Sequence, residues 1–201
     1  MSIAPLFARK GGRMQRGKQV EKPKKKRGLR LVLFLARLFL LVSVGLFAVS
    51  YLGEYVPQDG YAMNDTIVPG GGALVSRLWY AVKDPERFEV AACEVGGKLQ
   101  LRRIVGLPGE EIQISDGAIW IDGQPLARAD QYFGVIDIPG LAEEPIRLGE
   151  DEYFVLGDNP ARSQDSRFAD TGTIQREQLY GRAWLAAAPS QLEFRLIWNA
   201  D

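Results

Sequence analysis

The sequence predicts a mainly β, antiparallel domain over residues 53–201, carried behind one N-terminal transmembrane helix. Three observations predict it. A 22-residue apolar run, Leu31–Leu52, holds a single charge, Arg37. Beyond it, no segment keeps a helical period over twelve or more residues. Instead, Gly and Pro cut the chain into strand-sized apolar pieces, densest at 69-PGGG-72.

The apolar run is long enough to cross a hydrocarbon core of ~30 Å as a helix. Arg37 lies close enough to its basic end to snorkel toward the headgroups. Residues 1–30 hold eleven of the 25 basic residues and one acid, Glu21, leaving 14 basic against 24 acidic in the remainder. That asymmetry is a sidedness signal. The basic tail (1–30) is expected in the cytoplasm, the anchor at 31–52 and the β domain across the membrane, periplasmic or extracellular. Ala48 and Ser50 leave a cleavable signal peptide open, although the apolar core is longer than such peptides need. The run 22-KPKKKR-27 abuts a membrane span and lacks interleaved aromatics, so anionic lipid, not nucleic acid, is its expected partner.

Within the domain, Ala73–Val75, Leu101–Val105, Glu111–Ile114, Ala118–Ile121, Tyr153–Leu156 and Arg182–Ala187 read as strands. In 111-EIQISDGAIWIDG-123, apolar and polar residues alternate on both sides of Asp116–Gly117, a strong two-residue hairpin signal. Gln124–Ile138 and Gly140–Gly149 are expected to form a smaller, peripheral part. Leu78, Trp79 and Tyr80 are balanced between two fates, dipping into the outer leaflet or packing in the core.

Composition excludes several chemistries. Cys93 is the only cysteine and there is no histidine. An internal disulfide, a His- or Cys-rich metal site and a Ser–His–Asp or Cys–His hydrolase are therefore ruled out. No cofactor is expected.

Two stretches carry more than a generic β signal: 102-RRIVGLPGEEI-112, and 157-GDNPARSQDSR-167 followed by 181-GRAW-184. Gly106, Pro108 and Gly109 punctuate a turn after an apolar strand. Asp158, Asn159, Asp165 and Arg167 supply donors and acceptors able to pin a loop. In order and spacing these stretches resemble two hallmark motifs of the type I signal peptidases, membrane peptidases with a Ser–Lys dyad. Upstream, 61-YAMNDTIVPGG-71 stands where that family has Ser-Met-x-Pro-Thr, and 74-LVSRLWYAVKDPERFEVAA-92 is similar to the segment that follows. The resemblance spans roughly 55–190 and implies a coiled, barrel-like antiparallel sheet.

It also implies a dyad that this chain lacks. The nucleophile's position is Ala62 and the lysine's is Arg102. A buried lysine with a depressed pKa can take a serine's proton, whereas a guanidinium stays protonated. Gly60 stands where many bacterial members have a serine that helps bind the oxyanion, and Asp65 replaces the motif's proline. By resemblance, Ser163 matches the hydroxyl that orients the lysine, Asp165 and Arg167 a supporting pair, and Met63 a residue lining the substrate groove. Arg102 at the groove floor is expected to pair with Asp65.

Two readings stay open. One is a non-catalytic homologue that binds extended peptides or a secretion or pilus-assembly partner, or that serves as a structural module if its groove is filled. The other is an active signal peptidase whose dyad was mutated or has moved. Of the two lysines beyond the anchor, Lys83 reads as solvated, and Lys98 lies four residues before Arg102 on the same strand face, too far along it to substitute.

Overall fold

The computed structural model describes residues 25–197. The basic run before Lys25 lies outside the described residues. Helix α1 (Lys25–Leu52) has 28 residues, about 42 Å at the usual rise, and its stretch Gly28–Ala48 is long and apolar enough to cross a membrane. It begins six residues ahead of the apolar run, because Lys and Arg are good helix formers and outweigh the single Gly28 at 25–30.

The β domain starts at β1 (Glu54–Pro57) and is dominated by one antiparallel sheet. Its further strands are β2 (Gly72–Ser76), β3 (Val90–Val95), β4 (Lys98–Gly106), β9 (Glu152–Leu156), β10 (Ile174–Gln175), β11 (Leu179–Ala188) and β12 (Glu193–Leu196). The order is β1-β2-β11-β3-β4-β9-β10. The first half of β11 pairs with β3, and its second half pairs with β12. A smaller sheet has the order β7-β6-β5-β8, from β5 (Glu111–Ser115), β6 (Ala118–Ile121), β7 (Gln124–Pro125) and β8 (Ile146–Arg147). The segments expected to be peripheral supply its outer strands. The predicted hairpin joins β5 to β6, with positive φ at both Asp116 (53°) and Gly117 (76°), as its tight turn requires.

The central strands are buried on both faces, and their alternation divides the core. Val90, Ala92 and Leu101 pack with Val56, Met63, Val75 and Ala183. Ala91, Cys93, Ile104, Tyr153 and Val155 form a second cluster, and Phe154 and Leu156 turn toward the small sheet with Ile112, Ile114 and Ile119. Of the residues balanced between lipid and core, Tyr80 is buried in the second cluster and Trp79 packs against it. They lie on the short helix α2 (Arg77–Val82), one and a half turns that a twelve-residue window does not register.

Candidate functional site

Three segments meet at the site: the turn after β1, strand β4 and the loop after β9. The turn is built by backbone bonds from Thr66 and Ile67 N–H to the Met63 carbonyl (2.9 and 2.6 Å), with Gly60 at φ 80° and open space beside it. Ala62 sits on this turn, 5% exposed, and its carbonyl accepts the Asn159 N–H at 2.9 Å. Met63 is fully buried in the core. Its side chain packs in the cluster with Val56, Ile67 and Val75.

Gly157 explains how closely the turn and the loop approach. A Cβ there would stand 2.3 Å from Ser163 Oγ and 2.7 Å from the Ala62 carbonyl oxygen. Only glycine lets these two segments close on each other. The Ser163 hydroxyl beside it is buried and has no hydrogen-bond partner among the described residues.

The rest of the loop is clamped. Arg167 grips Asp165 through Nε–Oδ1 (2.8 Å) and Nη2–Oδ2 (3.0 Å), and also donates to the carbonyls of Ile138 and Pro160. Asp165 Oδ2 accepts the Gly157 N–H at 3.2 Å. Ser166, which the motif reading passed over, ties the loop back to β9: its Oγ accepts the Val155 N–H and its own N–H donates to the Val155 carbonyl.

Arg102 is buried, and each of its bonds goes to an uncharged oxygen. Nε and Nη2 donate to the Gln164 carbonyl (2.9 and 2.6 Å), Nη2 to Gln100 Oε1 (2.8 Å) and Nη1 to the Leu101 carbonyl (2.7 Å). Burial pulls its pKa down, against the opposing pull of Asp165. The expected pair with Asp65 is absent. Asp65 belongs to the turn, where its carbonyl accepts a bond from Arg195. Lys98 opens β4 as an exposed residue, and Lys83 is exposed with its ammonium 4.8 Å from the Trp79 ring centroid.

The neighbour of Arg102 was missed by sequence reasoning. Arg103, on the opposite face of β4, binds Asp158 bidentately and also donates to Thr66 Oγ1 and the Phe88 carbonyl. Two successive arginines in one strand must point to opposite faces, and that was the available signal.

The site thus joins the turn of Ala62 to the loop of Ser163 at Gly157, and ties that loop to β4 through Arg102 and the Gln164 carbonyl. The family model described as signal peptidase, peptidase S26, matches residues 30–187, and the chain belongs to this family. Among curated relatives, a probable signal peptidase I-2 of Synechocystis sp. is 28% identical over 157 residues, covering 74% of this chain and 68% of that protein. A signal peptidase I of Leptolyngbya laminosa is also 28% identical over 157 residues, covering 70% and 74%. Signal peptidase I V of Bacillus subtilis is 28% identical over 138 residues, covering 61% and 79%. A crystal structure of a signal peptidase I from Enterococcus faecalis is 28% identical, with a TM-score of 0.38, and covers 50% of this chain and 97% of that one.

Proposed function

We propose that this chain is a membrane-anchored signal peptidase homologue that has kept the peptide groove and given up hydrolysis. The observation that carries the reading is the pairing of Ala62 and Arg102 at the dyad positions, with the Ser163 hydroxyl left without a partner. Ala62 offers no nucleophilic atom, and a guanidinium does not take a proton at working pH.

Two unpaired strand edges support retention of a groove. Ile104 turns both backbone groups to the β3 side, donating to the Glu89 carbonyl and accepting from the Phe88 N–H. Alternation turns Leu99, Leu101 and Arg103 the other way, where β9 covers only from Arg103 onward. On β1, Gln58 N–H bonds to Gly71 of the β2 side, so the backbone of Tyr55 and Pro57 faces outward. β1 lies against β4 without pairing to it. An extended peptide fits such edges by strand addition. The relatives' names point to preproteins as the peptide source, and the basic N-terminal tail to a cytoplasmic N-terminus with the β domain on the far side.

The test is cleavage of a labelled preprotein by the protein in detergent, beside the double variant Ala62→Ser with Arg102→Lys. An inert chain and a cleaving variant support the reading. Cleavage by the unaltered chain overturns it in favour of an active peptidase with a relocated base, to be sought first at Lys98.

A further inference from the structure

Resting on that reading, we infer that the groove's ligand is the free C-terminal carboxylate of an extended peptide, received by Arg102 and Ser163. Three independent features of the site converge on this chemistry.

The first is an uncompensated charge. Arg102 is 5% exposed and takes part in none of the ion pairs among the described residues. Asp165, the acid that acts on it, gives its oxygens to Arg167 and to the Gly157 N–H. A buried cation without a counter-charge is stabilised by whatever anion can reach it.

The second is the pair of unused donors. A guanidinium has five N–H groups, and the four bonds of Arg102 leave one, on Nη1. Ser163, whose neighbour Gln164 takes two of those bonds, keeps an unpartnered O–H. A carboxylate needs donors and brings none. Ala62, packed through Gly157 against Ser163, adds no side-chain oxygen to compete.

The third is where the strand edge meets the cation. Leu99 and Leu101 face the gap, but the Leu101 carbonyl already accepts Arg102 Nη1. A peptide strand pairing with Leu99 and Leu101 therefore shares that carbonyl with Nη1 and passes beside the Arg102 guanidinium. A chain that ends there places its carboxylate at the cation. A chain that continues brings an uncharged amide there and still leaves the charge unpaired.

The class of ligand is thus an extended peptide with a free C-terminus, and a severed peptide is preferred over the intact chain from which it came. The experiment compares two N-terminally fluorescein-labelled peptides, Ala- and Val-rich and ending in Ala, identical except that one ends in a carboxylate and the other in a carboxamide. Binding to the full chain in detergent micelles is read by anisotropy. The acid is expected to bind at least about tenfold more tightly, as a charge-assisted hydrogen bond warrants. Arg102→Met removes the difference, Ser163→Ala narrows it and Arg102→Lys keeps part of it. If acid and amide bind the unaltered chain alike, the carboxylate inference is overturned while the peptide-binding reading stands. If neither binds, the peptide-binding reading falls and the inference with it. The comparison on the unaltered chain decides the matter even where a variant fails to fold.

Discussion

The Arg103 guanidinium holds Asp158 with both arms of its fork, Nε–Oδ1 at 2.8 Å and Nη2–Oδ2 at 2.7 Å, across 55 residues of sequence and all but sealed from solvent. Thr66 completes the node, accepting from Arg103 Nη2 at 2.8 Å and donating to Asp158 Oδ2. The turn bearing Ala62, the strand bearing Arg102 and the loop bearing Ser163 are thereby fixed to one another.

Breaking this node strands a buried charge. Asp158→Ala is expected to lose about 3–5 kcal/mol of stability. Arg103→Lys is expected to lose nearly as much, because an ammonium cannot reproduce the fork. Urea unfolding in detergent micelles measures both. A loss below ~1 kcal/mol for either would show the pair to be solvated and its geometry incidental.

Arg102 staples β4 to the loop after β9, so putting a lysine in its place carries a structural cost. Four bonds to three acceptors become at most three from a shorter ammonium, and Arg102→Lys should destabilise by about 1–3 kcal/mol. The same unfolding measurement checks it. A lysine variant as stable as the unaltered chain would mean that these bonds contribute nothing net.

Cys93 is a clean probe of domain integrity. It is fully buried in the second core cluster, and burial pushes its thiol pKa up to about 12. With thiolate and access both withheld, the native protein should stay unreactive toward a disulfide reagent at pH 8. It should titrate as one thiol per chain in denaturant. Fast labelling of the native state would place Cys93 at a surface or in a segment that opens readily.

Glu89 predicts a pH dependence. Its carboxyl is buried, and desolvation raises its pKa despite the Glu86 backbone bond and Arg182, 3.0 Å away. Between the ordinary glutamate value and this raised one, the native state keeps a proton that the unfolded chain has lost. Stability from this group is therefore greatest at low pH, falls as pH rises through that window and is level above it. Glu89→Gln should flatten that slope in thermal melts between pH 4 and 7. An unchanged slope would assign it to other groups.

How much of this was legible in the sequence follows the local signals. The Asp116–Gly117 hairpin and strand β4 were readable because turn chemistry and β-branched runs act over a few residues. Val90–Val95 was not singled out as a strand, since its first four residues, VAAC, are buried on both faces and lose the alternation that marks a half-exposed strand. The residues that the resemblance sets at the dyad positions, Ala62 and Arg102, were readable from the sequence alone. Partners were not: Asp65 looked like the acid for Arg102, whereas the fold gives Arg102 uncharged carbonyls and brings Asp158 to Arg103. Long-range pairing depends on which face a side chain takes, and one residue along a strand reverses it.

Phe88 carries backbone strain that a mutation can reveal. It keeps a glycine-like φ of 68° while buried. Its N–H donates to the Ile104 carbonyl, its carbonyl accepts Arg103 Nη1 at 2.7 Å, and its ring stacks on Tyr132 at 4.8 Å. These contacts hold a conformation that disfavours side chains by about 1 kcal/mol. Phe88→Ala loses the ring and keeps the strain, about 3–5 kcal/mol in all. Phe88→Gly loses the same ring but relieves the strain, so it should be the more stable of the two by about 1 kcal/mol. That reverses the usual order of alanine over glycine. Equal or inverted melting temperatures for the pair would mean that the left-handed backbone at residue 88 is not enforced by the fold.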